Sequence, residues 1–192
     1  MLGDPVLALP TSCDCEAFIA LYASDLASTR GLKTPSVNLG VAGWTGSRLL
    51  TGLTKPGPFR DAAKASPRDH PATILWASYW NVFEDGDVGR AKNGESYQSW
   101  SDRLTRATNA QICDAAQRAG ATCVDLYSPF KGDGSKDPTS WVAADGDHPN
   151  SAGHQLIASA LVKHVSANLV SESRADQARS LAGGFPGLCL AG

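Results

Sequence analysis

A chain of 192 residues, 42% apolar and 19% charged, is long enough for one well-filled core and too short for two comfortable ones. Its net charge of −2 and pI near 6.0 offer no basic face to a phosphate backbone, so nucleic acid is not an expected partner. No apolar run approaches the roughly 20 residues that span a bilayer, which leaves a small molecule as the expected partner and argues against a membrane.

The N-terminus lacks the basic flank and cleavable apolar core of a signal peptide. The chain as written is therefore expected to be cytoplasmic or a mature form already trimmed. MLGDPVLALPTS places only Met1 and Leu2 before Gly3-Asp4, whereas a strand entering a functional turn usually brings about five apolar residues. Either upstream residues fall outside this sequence or the first strand is unusually short. CEAFIALYASDLASTRG then sets Phe18, Ile19, Tyr22 and Leu26 at helical spacing and stops at Gly31, which predicts a helix laid against a sheet. From 35 to 53, PSVNLGVAGWTGSRLLTGL runs from a short strand through a glycine-rich turn into a helix. Glycines there let a backbone N–H approach a developing anion, though alone they describe an ordinary strand-to-helix loop equally well. The four prolines within 55–71 mark a surface excursion that includes His70.

ATILWASYW, 72–80, predicts a buried strand ending in aromatic residues and leading into Asn81. A helix is predicted from Gly94 to Gly120, with Trp100, Leu104, Ala107 and Ile112 as its inward stripe and charges on the outer face. ATCVDLYSPF, 121–130, reads as the next strand and its exit, and KGDGSKDPTSWVAADG as a flexible loop rimming a site. Five cysteines, Cys13, Cys15, Cys113, Cys123 and Cys189, leave one over if the others pair. Cys13 and Cys15 do not have the spacing of common zinc pairs, and no metal site is expected. The turn between Cys113 and Cys123 brings them together, as a disulfide or as a reduced buried pair.

Residues 145–161, DGDHPNSAGHQLIASAL, carry the clearest chemistry. Pro149 follows His148 directly and suits the first turn of a helix, so His148 belongs on a tight turn ahead of that helix. Asp145, three residues earlier, is placed to take a ring nitrogen of His148, fixing its tautomer and raising the basicity of the other nitrogen. The closing helix covers roughly 151–170, with His154 and His164 expected at its surface or cap. Residues 1–170 form one expected domain, and 171–192 a tail.

DGDHPNSAGH resembles the last motif block of the SGNH, or GDSL-like, hydrolases, in which this Asp and His complete a Ser-His-Asp triad. The order of the remaining blocks, Gly3-Asp4, then NLGVAG, then YWN, is similar to the family's. The resemblance implies a three-layer α/β/α, flavodoxin-like fold with a mostly parallel sheet of strand order 2-1-3-4-5, and no cofactor. It also implies catalytic His148 and Asp145, with an oxyanion hole of Gly43 and Asn81; the register admits Trp80 in place of Asn81. Trp44, Tyr79, Trp80 and Trp141 are expected near the site, lining a pocket for an apolar or ring-bearing ligand or simply packing.

The first block departs from the family. After Gly3-Asp4, where the resemblance calls for the nucleophilic Ser, stands Pro5, which has neither hydroxyl nor N–H. Removing the Ser of a comparable triad costs about 10⁶ in turnover. Three readings follow: an enzyme for esters or acyl groups that uses its base without a covalent step, a hydrolase with a relocated nucleophile such as Ser12, or a binding protein that kept the pocket.

Overall fold

The computed structural model describes residues 16–31, 46–58, 60–61, 74–81 and 83–165. Helix α1, Phe18–Arg30, turns Phe18, Ile19 and Leu26 inward, as their spacing predicts. It stops at Gly31, whose φ of 64° is open to glycine at little steric cost and whose N–H caps the Ala27 carbonyl. Helix α2 spans Gly46–Thr54.

The described sheet has two parallel strands, β1 (Leu75–Ala77) and β2 (Thr122–Val124), with Trp76 opposite Cys123. Between them runs α3, Gly86–Arg118, so the arrangement is an α/β one in which a helix connects parallel neighbours. Side chains extend the pairing beyond the ladder. Ser78 donates its N–H to Val124 O and accepts the Leu126 N–H on Oγ, each at 2.9 Å. Asn109 of α3 imitates a strand, its amide exchanging two 2.8 Å bonds with the N–H and carbonyl of Tyr79. After β2 come the short helix α4 (Tyr127–Lys131), a 3₁₀ turn (Thr139–Trp141) and α5, helical over 151–165.

Among the described residues the apolar core is a single cluster. Phe18 and Ile19 of α1, Trp80, Val124, Leu126 and Phe130, and Ile157, Ala158, Ala160 and Leu161 of α5 pack together, with Trp80 stacked on Phe130 at 5.2 Å. Trp80 thus packs in the core, one of the two roles expected of it.

Helix α3 corrects the sequence reading in two ways. It begins at Gly86, eight residues before the expected start, and Gly94 (φ 78°, ψ 170°) breaks it into two helical runs. Its inward face is also polar: Ser101, Thr105 and Asn109 are buried, while Trp100 is 45% and Leu104 39% exposed. The apolar stripe at 100, 104 and 107 is therefore the outer face. The loop from 132 onward is likewise threaded with bonds, including Lys136 N–H to Lys131 O and Asp87 N–H to Thr139 Oγ1 at 2.8 Å.

Cys113 of α3 and Cys123 of β2 are joined by a disulfide, with Cα atoms 5.1 Å apart. The bond closes a short loop around the turn at Gly120 and ties the helix end to the sheet. Replacing both cysteines by serine should lower the unfolding free energy by about 2–3 kcal/mol through the larger entropy of the unfolded chain. Urea titration checks this: a reductant should shift the wild-type midpoint to that of the double variant and leave the variant unmoved.

Candidate functional site

The loop carrying Asp145 and His148 is built as a tight hairpin. Val142 and Pro149 face each other in an antiparallel bridge, Ala143 N–H donates to His148 O at 2.7 Å, and Gly146 N–H returns to Ala143 O. Asn150 closes it below. Its N–H donates to Trp141 O and its amide to the carbonyls of Ser140 and Val142, while its Oδ1 accepts the Gly153 N–H and caps α5.

Within this hairpin Asp145 reaches His148. Its Oδ1 accepts the backbone N–H groups of Asp147 and His148, each at 3.0 Å, and its Oδ2 lies 2.7 Å from His148 Nδ1. An ionised carboxylate only accepts, so the imidazole proton belongs on Nδ1 and the lone pair on Nε2. Partial burial works to raise the Asp145 pKa. The hydrogen bonds from Asp147 and from His148's ring and backbone outweigh it and hold the carboxyl below its ordinary value. The base is thus partly open to solvent and its orienting carboxylate stays charged.

Two long-range bonds fix the loop to the strand exit. Asp85 N–H donates to Gly146 O at 2.7 Å, and Trp80 Nε1 donates to Asp147 O at 3.3 Å. Gly146 has φ 76°, and a Cβ there would lie 2.8 Å from Val88 Cβ, so only glycine fits between the loop and α3.

Asn81 is 5% exposed and lies in a buried polar network. Its Nδ2 donates to Asp85 Oδ2 at 2.6 Å, and its Oδ1 accepts from Thr105 at 2.7 Å, Ser101 at 2.9 Å and the Phe83 N–H at 3.3 Å. Asp85 also caps α3, Oδ1 accepting the Gly86 N–H at 2.8 Å, and pairs with buried Lys131, whose Nζ is 2.6 Å from Asp85 Oδ2 and 3.1 Å from Asp102 Oδ1. Burial raises the Asp102 pKa, but bonds from Tyr127, Arg106 and Lys131 more than offset this and lower it. Burial and then the Asp102 carboxylate push the Tyr127 hydroxyl pKa well up, so it remains a donor. A polar cavity of about 340 Å³ shares Asp85, Asp102 and Lys131 with this network.

Of the residues singled out from sequence, Asp145 and His148 are brought together, and Asn81 stands under the same loop through Asp85. Tyr79 is partly exposed at the end of β1, and Trp141 lies in the 3₁₀ turn with Lys136 Nζ 4.0 Å above its ring. Asp4, Pro5, Ser12, Gly43 and Trp44 lie outside the described residues. Asp85, Asp102 and Lys131 escaped the sequence reading; an Asp-Gly step before a helix was the one signal available for Asp85. Among the described residues no cluster of metal-ligating side chains is present.

His154 corrects another expectation. It is 2% exposed, stacked on Phe18 at 6.0 Å, and its Nδ1 has no hydrogen-bond partner among the described residues. Burial, and then the charge of His148, lower its pKa, so the folded protein holds it neutral.

Comparison with solved structures finds the chain similar to LAE5, an alpha/beta hydrolase enzyme from the metagenome of Lake Arreo, Spain. The TM-score is 0.47 and the identity 17%, covering 84% of this chain and 91% of that one. No family model matches the chain, and no curated protein does. What the site can do follows from its own side chains.

Two outcomes are expected from these contacts. Gly146→Ala should lower stability by about 1–3 kcal/mol through strain at positive φ and the clash with Val88, and displace the His148 loop; denaturant unfolding and the His148 ring NMR shifts report both. For His154, the unfolded chain takes up a proton near the ordinary value of about 6.5, while the folded chain resists it. Its contribution is complete above that pH and is lost as pH falls from there towards the lower folded pKa. The unfolding free energy of His154→Leu should fall less than that of wild type between pH 7.5 and 5.5; equal losses would contradict the assignment.

Proposed function

We propose that this chain is a hydrolase-type enzyme of the SGNH (GDSL-like) kind. It acts on a small-molecule ester, acyl or related substrate with His148 as general base and without an acyl-enzyme. The observation that carries this is the 2.7 Å contact between Asp145 Oδ2 and His148 Nδ1, in a loop where Asp145 Oδ1 also binds the His148 backbone. A surface His–Asp ion pair gains little stability and needs no such double anchoring. An oriented base does need it, because the tautomer must be fixed before the substrate arrives.

On this reading Nε2 takes a proton from water, or from a nucleophilic group of the substrate, as its oxygen attacks the carbonyl carbon. The tetrahedral anion is met by the Gly43 N–H and the Asn81 amide, and the imidazolium returns the proton to the leaving alkoxide. Water and ester give acid and alcohol, and the base ends neutral. Asn81's bonds to Thr105, Ser101 and Asp85 support this role, since a donor fixed beforehand costs no reorganisation when charge develops. The parallel pairing of β1 and β2 around α3 is compatible with a flavodoxin-like order 2-1-3-4-5, the arrangement we assign to the whole sheet. The Cys113–Cys123 disulfide favours an oxidising compartment.

The test is hydrolysis of p-nitrophenyl acetate and butyrate. His148→Ala should lower kcat/KM by roughly 10²–10⁴, and Asp145→Asn by an amount in the same range, with KM little changed in either. Fluorophosphonate should leave the wild type unlabelled. Stoichiometric labelling would instead establish a relocated nucleophile, with Ser12 the first residue to replace. Activity that appears only in Pro5→Ser would mean the natural protein has left ester chemistry.

A further inference from the structure

Helix α3 is fastened to the strands along one ridge. Ser101, Thr105, Asn109 and Cys113 follow one another at four-residue spacing, so they share a side of the helix and lie about 6 Å apart along it. Each reaches the strand side in turn. Ser101 and Thr105 donate to Asn81 Oδ1 at 2.9 and 2.7 Å, and Asn109 exchanges two 2.8 Å bonds with the Tyr79 backbone. Cys113 is bonded to Cys123, the register partner of Trp76. The helix therefore runs back along β1 and its exit, with Asn81 at one end of the ridge and the disulfide at the other.

This ridge is polar, so its alignment rests on directional bonds. Of the buried residues of α3 only Ala116 offers an apolar side chain. Asp102 anchors another side of the helix near its middle, through Tyr127 and Lys131. Beyond Asn109 the disulfide ties the helix to the sheet. Residues 119–121, which join α3 to β2, hold the helix end near the strand without setting which face turns inward. A disulfide does set it, because its geometry restricts both the separation and the direction of the two Cβ atoms.

We propose that the Cys113–Cys123 disulfide is a positioning element for Asn81, so that the activity of the site depends on the bond being oxidised. This rests on the function proposed above, in which Asn81 meets the tetrahedral anion, and adds the redox control of that site. Both cysteines are half-buried, open enough for a small dithiol. One thiolate of the dithiol attacks one Sγ, and its second thiol resolves the mixed disulfide. Two electrons and two protons pass to the protein, which gains two thiols as the dithiol leaves oxidised. The freed end of α3 then turns about its axis, Asn109 loosens its hold on Tyr79, and Asn81 loses the fixed orientation that a developing anion requires.

The experiment measures kcat and KM for p-nitrophenyl acetate with the full chain, oxidised and reduced. Reduction is by dithiothreitol, removed by gel filtration before assay, at a temperature where circular dichroism shows both forms folded. Reduction should lower kcat by roughly 10 to 10²-fold with KM little changed, and reoxidation should restore it. Cys113→Ser/Cys123→Ser should match the reduced protein and ignore dithiothreitol. Asn109→Ala keeps the disulfide but cuts the ridge, and covers the case in which the reduced protein does not fold. It should lower kcat likewise, and reduction should then add little, since both act through one link. Unchanged kcat in the folded reduced protein, a fall that only tracks the unfolded fraction, or full kcat in Asn109→Ala overturns the positioning role while leaving the esterase reading standing. If the oxidised wild type turns over no ester, that reading fails and the Asn81 side-chain amide resonance decides. A shift on reduction that reoxidation reverses upholds the coupling, and an unmoved resonance overturns it.

Discussion

The buried pair between Lys131 and Asp85 holds the surroundings of the candidate site in place. Both groups are almost wholly removed from water, so neither charge is tolerable without the other, and losing one partner of such a pair typically costs about 3–5 kcal/mol. The wider group is balanced: Asp85 and Asp102 face Lys131 and Arg106, which bonds Asp102 through Nε at 2.9 Å. Each Asp85 oxygen has a separate task, Oδ1 starting α3 and Oδ2 gripping Lys131 and the Asn81 amide, while its backbone N–H carries Gly146. One residue thereby sets the helix start, the orientation of Asn81 and the height of the His148 loop. Displacing it should disturb all three together, since groups in one hydrogen-bond network do not act additively.

This arrangement explains why α3 turns a polar face inward. The helix packs over the strand exit where Asn81 and Asp85 are sunk, and an apolar stripe there would have left the Asn81 carbonyl and its neighbours unpaired. Ser101 and Thr105 are small, carry one hydroxyl each and sit one turn apart, so both reach the same Asn81 oxygen. Asn109, a further turn along, continues the pattern by pairing with the Tyr79 backbone.

How much could be read in the sequence follows from how local each feature is. The Asp145–His148 contact spans three residues and a turn, so its spacing was enough to foresee it. Helix α1 was legible because Phe18, Ile19 and Leu26 face an apolar core, which is what a periodicity argument assumes. That assumption failed for α3: Trp100 and Leu104 have the right spacing for a core, but the partner surface is polar. It failed too for His154, since a buried neutral imidazole and a surface one look alike in sequence. Lys131 and Asp85 are 46 residues apart and meet only because β1 and β2 pair, so no spacing could announce them.

The proline at position 5 gives the proposed chemistry its particular demand. A covalent nucleophile divides acyl transfer into two easier steps, and its loss leaves a single addition that one water, or one group of the substrate, must perform. Such a step gains most from orientation, for which effective molarities of about 10⁵–10⁸ M are attainable when the attacking atom is held at the carbonyl. A fixed base and a fixed amide each supply orientation, and neither requires a hydroxyl at position 5. On the proposed reading, the rigid anchoring of the His148 loop to Asp85 and Trp80 is therefore what must compensate for the absent serine, and it works only if the acyl group is held firmly enough for its carbonyl to stay within reach of the base.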